Sequence, residues 1–540
     1  MLVASLLQAQ RRACTNATSH PAAIDVLLAA CVTLVAALLR LIRLGEIPYG
    51  VHPDEAQFGL DAIRITHEGW IGVYSHAALG IPTLNDYITA PGVWLLGPTA
   101  FGLRIGLALV GLAAVPLLYA LVRVAYARAE AFFASLLLAL SYWHLLYSRI
   151  AHMSVSYPTF LLGALLCIMC GLKGGGRAER RWFAAAGVPL GLSVYAYNIG
   201  FIAVLAVAVV LAVLTLVRYP SWKALRLWWL SPALCFGVAL IVVLPFFWYI
   251  SDPHAYFWVH IDSYRDLGVL RSTDYRVADT AGKIRIIGDQ FRDFAATYAW
   301  RGVPDNVDAS GVRPAFDPIT LVLLVFGVVM AVRRWREPMV IASVCCVLIV
   351  PLPALLQRGA MTREPLGAAP FVAFLCALPL ATLWRGTASE GGMLLRGAFA
   401  ALAVAPVVLI GALTVHDYFW TWRYNVPVTR FVYHQEITSA SLYMKTLPPD
   451  AYVLFYSYRH PLSLETRTFL APDIHGEDRS SEFGRGGLSI ERPPRPGPIV
   501  FVLLDDYVSL LSQIARRYPG GVVQSAKHDG MVDFYAYAIP

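Results

Sequence analysis

The chain has 540 residues, of which 58% are hydrophobic and only 14% charged. A soluble globular domain carries about 25% charged residues, so this balance, with a mean hydropathy of +0.59, excludes that class and reads as an integral membrane protein. The net charge of +8 does not indicate nucleic acid, because most basic residues fall in short connections between apolar stretches, where membrane topology accounts for them.

The first apolar stretch runs over about 24–44, long enough to cross a hydrocarbon core of about 30 Å. Arg11 and Arg12 precede it and no small-residue cleavage site follows, so it reads as an uncleaved anchor. Next comes the first polar stretch of any length, Gly45 to Pro98. At its centre Asp54 and Glu55 stand side by side after Pro53, and Phe58, Leu60, Ile63 and Ile65 run along a short helical pattern. Further apolar stretches follow near 100–122, 130–147, 155–172, 182–197, 199–217, 227–250, 317–332, 338–356, 366–384 and 394–415. Together they make about 11 spans by the ~20-residue criterion. The eight cysteines lie almost all in these stretches and form no disulfide framework. The Cys167-x-x-Cys170 pair reads as packing.

Orientation follows the Lys/Arg bias. With the N-terminus in the cytoplasm, the inside connections hold Arg123 and Arg128; Lys173, Arg177, Arg180 and Arg181; Arg218, Lys223 and Arg226; Arg333, Arg334 and Arg336; and Arg385 and Arg396. The outside segments are then 45–98, 148–154, about 251–316, 357–365 and everything after 415, and they hold almost all the Asp and Glu. After 416 the pattern changes. A helix is expected over 432–446, with strands at Tyr452–Tyr456, Ile499–Leu504, Val522–Gln524 and Val532–Ala536, and a helix over Tyr507–Tyr518. The Gly/Pro-rich 471–498 reads as a loop. Helices among strands make 416–540 a small soluble α/β domain after a membrane region 1–415.

Carboxylates, imidazoles and arginines thus share the outer face. The first loop supplies Asp54, Glu55, His52, Asp61 and Asp86, the second Arg149 and His152, a helix end Tyr195 and Tyr197, the large loop Arg265, and the fourth loop Arg358, Arg363 and Glu364. A carboxylate can deprotonate an acceptor hydroxyl as it attacks an anomeric carbon. A phosphate leaving group needs positive charge, and arginine offers a fork of donors matched to it. Each residue also has a plainer reading. Asp54 and Glu55 suit a helix N-terminus, the arginines can snorkel to headgroups, the histidines can be surface groups, and Tyr195 and Tyr197 can belong to the interfacial aromatic belt.

The ordered set of motifs resembles a known family. PYGVHPDEAQFGLDA in the first outer loop, YWHLLYSRIAH in the second, GLSVYAYNIG at the end of the fifth span, LPFFWYISDPHAYF, FDPIT, TREPLGAAPFVAFL and HDYFWTWRYN follow in order and cover most of 20–425. The chain is similar to the polyprenyl-phosphate-sugar-dependent glycosyltransferases of the GT-C class, in particular bacterial relatives of protein O-mannosyltransferases and of the lipid A aminoarabinose transferase. The resemblance implies a polytopic helical fold with interfacial helices made from the first outer loop. It also implies an inverting transfer from a polyprenyl-phosphate-linked sugar to a protein, polysaccharide or glycolipid acceptor outside a bacterial plasma membrane. Asp54 is then the expected catalytic base with Glu55 in support, and Arg149, Arg358 and Arg363 match positions near the donor phosphate, with His152, Tyr195, Tyr197 and Arg265 as further substrate contacts. Many relatives carry an acid shortly after the Ser148-Arg149 pair, where this chain has His152. A divalent metal is therefore left open, and no metal ligand or other cofactor is assigned. Two other readings stand beside this one: a polysaccharide polymerase or ligase using a diphosphate-linked donor, and a multispan transporter or lipid flippase. Spans nearly free of charge speak against the transporter.

Overall fold

The computed structural model describes residues 22–77, 80–218, 228–264, 268–302, 313–357, 362–388, 392–484, 488–528 and 530–540. Arg11, Arg12, Lys223, Arg226, Arg265 and Arg358 lie outside the described residues. Each apolar stretch read above falls on helix. Among the described residues eight helices are long and apolar enough to cross a membrane. The other three stretches differ for physical reasons. Arg128–Leu140 and Tyr142–Ser148 form a pair bent by 59°, because Ser141 ends the first helix and its side chain caps the second at His144 N. Pro318–Arg333 has 16 residues, and Gly176–Ala196 opens on Arg177, Glu179, Arg180 and Arg181.

The chain divides into two compact units. One comprises Met1–Ile42, Ile71–Asn85 and Leu107–Trp420; the other Arg43–Trp70, Asp86–Gly106 and Thr421–Pro540.

In the first unit, glycine lets the Gly176–Ala196 helix approach the Leu230–Ile250 helix closely. A Cβ on Gly187 would stand 2.4 Å from the Cys235 carbonyl oxygen, and one on Gly191 2.7 Å from Val242 Cβ. Small residues at such crossings are how membrane helices gain contact. A short hairpin pairs β1 (Tyr74–Ser75) with β2 (Ile81–Pro82). Two buried arginines exchange helix ends. Arg40, on the Ala22–Leu41 helix, donates to the Leu138 and Ala139 carbonyls at 3.5 and 3.1 Å, where the Arg128–Leu140 helix stops. Arg149 in turn donates to the Leu39 and Ile42 carbonyls, both at 2.7 Å, at the end of the Ala22–Leu41 helix. Each guanidinium donates to carbonyls at a helix end, where intrahelical donors run out, although Leu138 O also accepts from the Ser141 amide at 3.3 Å.

The second unit is built on a five-stranded sheet of β3 (Tyr452–Tyr456), β4 (His475–Asp478), β5 (Ile499–Leu503), β6 (Val522–His528) and β7 (Met531–Ile539). The order is β4-β3-β5-β7-β6, parallel across the first three strands and antiparallel across the rest. Val453, Phe455, Val500 and Val502 face Ile437, Ala440 and Met444 of the Gln435–Met444 helix. Leu454, Tyr456, Phe501 and Leu503 face Ile514 of the Leu511–Arg517 helix. Covered on both faces, β3 and β5 are continuous apolar runs, as parallel strands require. The expected helix over Tyr507–Tyr518 divides into a 3-10 turn, Asp505–Leu510, and the Leu511–Arg517 helix. The stretch read as a loop contains β4, whose His-Gly-Glu-Asp sequence carries no apolar signal because it is an edge strand. An unexpected helix, Glu465–Leu470, packs on the Pro53–Glu68 helix. A Cβ on Gly59 would stand 2.4 Å from the Phe469 ring, so that glycine sets the spacing of the two.

Candidate active site

The two adjacent acids have different surroundings. His52 caps the Pro53–Glu68 helix: its Nδ1 accepts from the Asp54 amide at 3.0 Å, and its own amide donates to Glu55 Oε2 at 3.2 Å. This is a capping box with histidine in the place usually held by serine or threonine. Glu55 is buried, and Arg104 binds both its oxygens at 3.0 Å. The remaining Arg104 donors reach the carbonyls of Pro48 at 2.9 Å, Gly50 at 2.6 Å and Leu44 at 3.4 Å. All five N–H groups of a fully buried guanidinium are therefore engaged. Glu55 anchors the loop. Asp54, at the second helical position, keeps a side chain 47% exposed. His52 Nδ1 stands 3.8 Å from its Oδ2, and among the described residues no lysine or arginine pairs with it.

Two further acids of this unit are buried, Asp61 on the same helix and Asp86 on the Leu84–Leu96 helix. Neither Asp86 oxygen has a hydrogen-bond partner among the described residues. Burial first, and then the Asp61 charge, push the Asp86 carboxyl well above the usual range, because both disfavour its charged form. On the other side of the helix entry, His52 stands edge-on to His434 at 5.8 Å, and His434 to His460 at 4.9 Å. Burial, followed by the neighbouring His460, His52 and Arg459 charges, lowers His434 to about 3. Burial and then Arg459 lower His460 to about 4. The fully buried Glu436 is paired with Arg430 and Arg459.

In the first unit the remaining expected residues separate into groups. His152 accepts from the Ser154 amide at 3.1 Å and caps the Met153–Val155 turn. Its ring lies edge-on to Tyr197 at 6.1 Å and tilted to Tyr147 at 5.8 Å, and Tyr197 stacks on Tyr157 at 6.0 Å. Trp143 Nε1 donates to the Thr362 carbonyl at 2.7 Å, the Tyr147 and Thr362 hydroxyls pair at 2.8 Å, and the Tyr157 hydroxyl binds Glu364 O and accepts from the Gly367 amide at 2.8 Å. His152, Tyr197 and the turn that begins at Arg363 are thus joined through Tyr147, Tyr157 and Thr362.

Tyr195 serves a helix instead. Its hydroxyl donates to Val242 O at 3.0 Å and accepts from the Phe246 amide at 3.2 Å, so it is inserted into the ladder of the Leu230–Ile250 helix beside Pro245. Arg149 is fully buried, with the carbonyl contacts given above and its guanidinium over Tyr418 and Phe419 at 5.2 and 5.0 Å. Arg265 and Arg358 lie outside the described residues.

Residues 73–265 match the sequence pattern of the family described as dolichyl-phosphate-mannose-protein mannosyltransferase. No curated protein matches the sequence. Among solved structures, ArnT from Cupriavidus metallidurans bound to undecaprenyl phosphate is similar with a TM-score of 0.54 at 14% identity, covering 96% of this chain and 98% of that one. Its apo form gives 0.52 at 16% identity, over 95% and 97%. The archaeal oligosaccharyltransferase AglB from Archaeoglobus fulgidus, in complex with an inhibitory peptide and a dolichol-phosphate, gives 0.53 at 14% identity, over 94% of this chain and 74% of that one. The chain shares the fold of ArnT over nearly the whole length of both proteins.

Several residues of this candidate site carry weaker signals in the sequence. Arg104 did carry a signal: it is the lone charge in the apolar 100–122, and a lone charge in such a stretch needs a partner. Tyr157 and Thr362 carried none, being ordinary residues in apolar surroundings. Among the described residues no group of three or more His, Cys, Asp or Glu side chains is arranged to hold a metal ion.

Proposed function

We propose that this multipass membrane protein is a glycosyltransferase that moves a sugar from a polyprenyl-phosphate donor to an acceptor on the extracytoplasmic face, with inversion and with Asp54 as the base. The single observation that carries the residue assignment is the contrast between two neighbouring acids: Arg104 holds both oxygens of Glu55, while Asp54 is 47% exposed and pairs with no described lysine or arginine. The donor class is supported by the fold shared with ArnT, by the pattern matched over 73–265, and by the polyprenyl phosphates held by ArnT and AglB, undecaprenyl phosphate and dolichol-phosphate. The Lys/Arg bias of the connections supports the orientation.

In the proposed reaction Asp54 takes the acceptor's hydroxyl proton as the acceptor oxygen bonds to the anomeric carbon. The bond from that carbon to the phosphate oxygen breaks on the opposite face, and polyprenyl phosphate departs with the electron pair. Arg363 and Arg358 are the donors proposed for that phosphate. Arg149 and Tyr195 are assigned to holding helix ends and a helix break rather than to substrate, and His152 and Tyr197 to the surface that receives it. The similarity to AglB favours one second reading, an oligosaccharide donor on the same kind of lipid.

The test supplies membranes with a panel of radiolabelled polyprenyl-phosphate sugars and compares wild type with Asp54→Asn. Label passing from lipid to a polymer, protein or second lipid with wild type alone supports the assignment. Equal transfer by the variant removes Asp54 from the mechanism, and transfer by neither protein removes the donor class.

A further inference from the structure

The helix that carries Asp54 is entered through a peptide held by two hydroxyls from the C-terminal segment. Val51 is fully buried. Its amide donates to Thr438 Oγ1 at 3.1 Å, and its carbonyl accepts from Thr466 Oγ1 at 3.0 Å. The two threonines stand on different helices, Gln435–Met444 and Glu465–Leu470, and both are buried. On either side the chain is held as closely. Gly50 has φ +99°, and a Cβ there would meet the Tyr433 carbonyl oxygen at 2.2 Å, so only glycine passes. The Tyr49 hydroxyl pairs with Ser439 Oγ at 2.8 Å, and its ring stacks on His528 at 3.8 Å. His52 then caps the helix and faces His434.

Plain packing would not need hydroxyls at these two places. Valine fills the space of threonine, and an apolar pair would hold the helices together as well. What valine cannot do is satisfy the amide and carbonyl of one buried residue from two directions, which fixes the height and rotation of the chain at the helix entry. Only His52 and Pro53 separate Val51 from Asp54, and Pro53 limits φ, so a shift at Val51 is passed on towards the Asp54 carboxylate.

We propose that Thr438 and Thr466 are positioning residues for the base: the C-terminal segment acts in the reaction by clamping Val51 and so setting where Asp54 stands. This rests on the assignment of Asp54 as base. Catalytic groups misplaced by about 1 Å lose about 100-fold in rate.

The test uses the full chain in lipid nanodiscs and the lipid-linked sugar that wild type uses, with Thr438→Val, Thr466→Val and the two serine variants. Amide hydrogen exchange is measured over residues 49–56 beside transfer kinetics. The clamp requires each valine variant to raise exchange at Val51–Glu55 and lower kcat by about 10- to 100-fold, with an unchanged KM for the donor. Serine at either position is expected to restore both. Exchange unchanged in both valine variants overturns the proposal, as does a loss of kcat that serine does not repair. A wild type that transfers no label from any lipid-linked sugar defeats the glycosyl-transfer reading instead, and the exchange measurement then decides the clamp by itself.

Discussion

Replacing Arg104 tests the loop anchor most directly. Arg104→Met keeps an unbranched, flexible side chain, shorter than arginine, and removes every donor. Glu55 is then a buried carboxylate without its cation, and the carbonyls of Leu44, Pro48 and Gly50 lose a donor. Breaking a buried ion pair from one side costs about 3–5 kcal/mol, because the remaining charge stays out of water. Each orphaned carbonyl adds up to about 1–3 kcal/mol, less where the loop relaxes and admits water. A net loss of about 4 kcal/mol corresponds to a fall in Tm of about 8–16 °C for a unit of 150–250 residues. Thermal unfolding in detergent, followed by tryptophan fluorescence and by retention of the monodisperse peak, reads this directly. Arg104→Lys is expected to fall in between, since lysine keeps the charge but offers three donors on a point charge rather than a five-donor fork. Glu55→Gln in the Arg104→Met background should recover part of the loss, because it removes the unpaired charge. A Tm for Arg104→Met within about 2 °C of wild type, under 1 kcal/mol by the same scaling, would refute the anchor.

Three further outcomes are expected. Tyr195→Phe leaves Val242 O and the Phe246 amide without their bridge and should cost about 1–2 kcal/mol while transfer persists; a loss of transfer at unchanged Tm would return Tyr195 to the substrate site. Asp86→Asn should raise Tm at neutral pH. The folded carboxyl titrates above its unfolded value, so wild-type stability falls as pH rises from about 3.8 through the folded pKa, and a pH-independent difference between variant and wild type would contradict this. His434 and His460 run the other way. With folded values of about 3 and about 4 against 6.5, their contribution is complete above about pH 6.5 and is lost on acidification towards pH 3, so His434→Gln should flatten the Tm profile below pH 6.5.

The legible features were those whose cause is local. The Pro53–Glu68 helix announced itself through Pro53, two acids in the first turn and apolar residues recurring along the segment. The β3 and β5 strands did so through runs such as Val453-Leu454-Phe455, apolar at every position because both faces are covered. What stayed hidden depends on distant partners. Nothing near Glu55 distinguishes it from Asp54; the difference is Arg104, 49 residues away. The carbonyls of Leu39 and Ile42 that Arg149 reaches lie more than 100 residues before it, so nothing near Arg149 in the sequence points to them. β4 is invisible because an edge strand needs backbone pairing and no apolar face.

The exchange of helix ends between Arg40 and Arg149 bears on biogenesis. The first span leaves the ribosome with a charge near its end and with carbonyls at its terminus open. The carbonyl that Arg40 will reach on Ala139 is 99 residues further on, and the guanidinium that will close Leu39 is 110 further on. At a synthesis rate of about 5–20 residues per second, the insertion machinery must shelter that helix for some ~5–20 s before its partners arrive. A fusion reporter that stops after the first span would therefore measure a helix in a state that the finished protein never occupies.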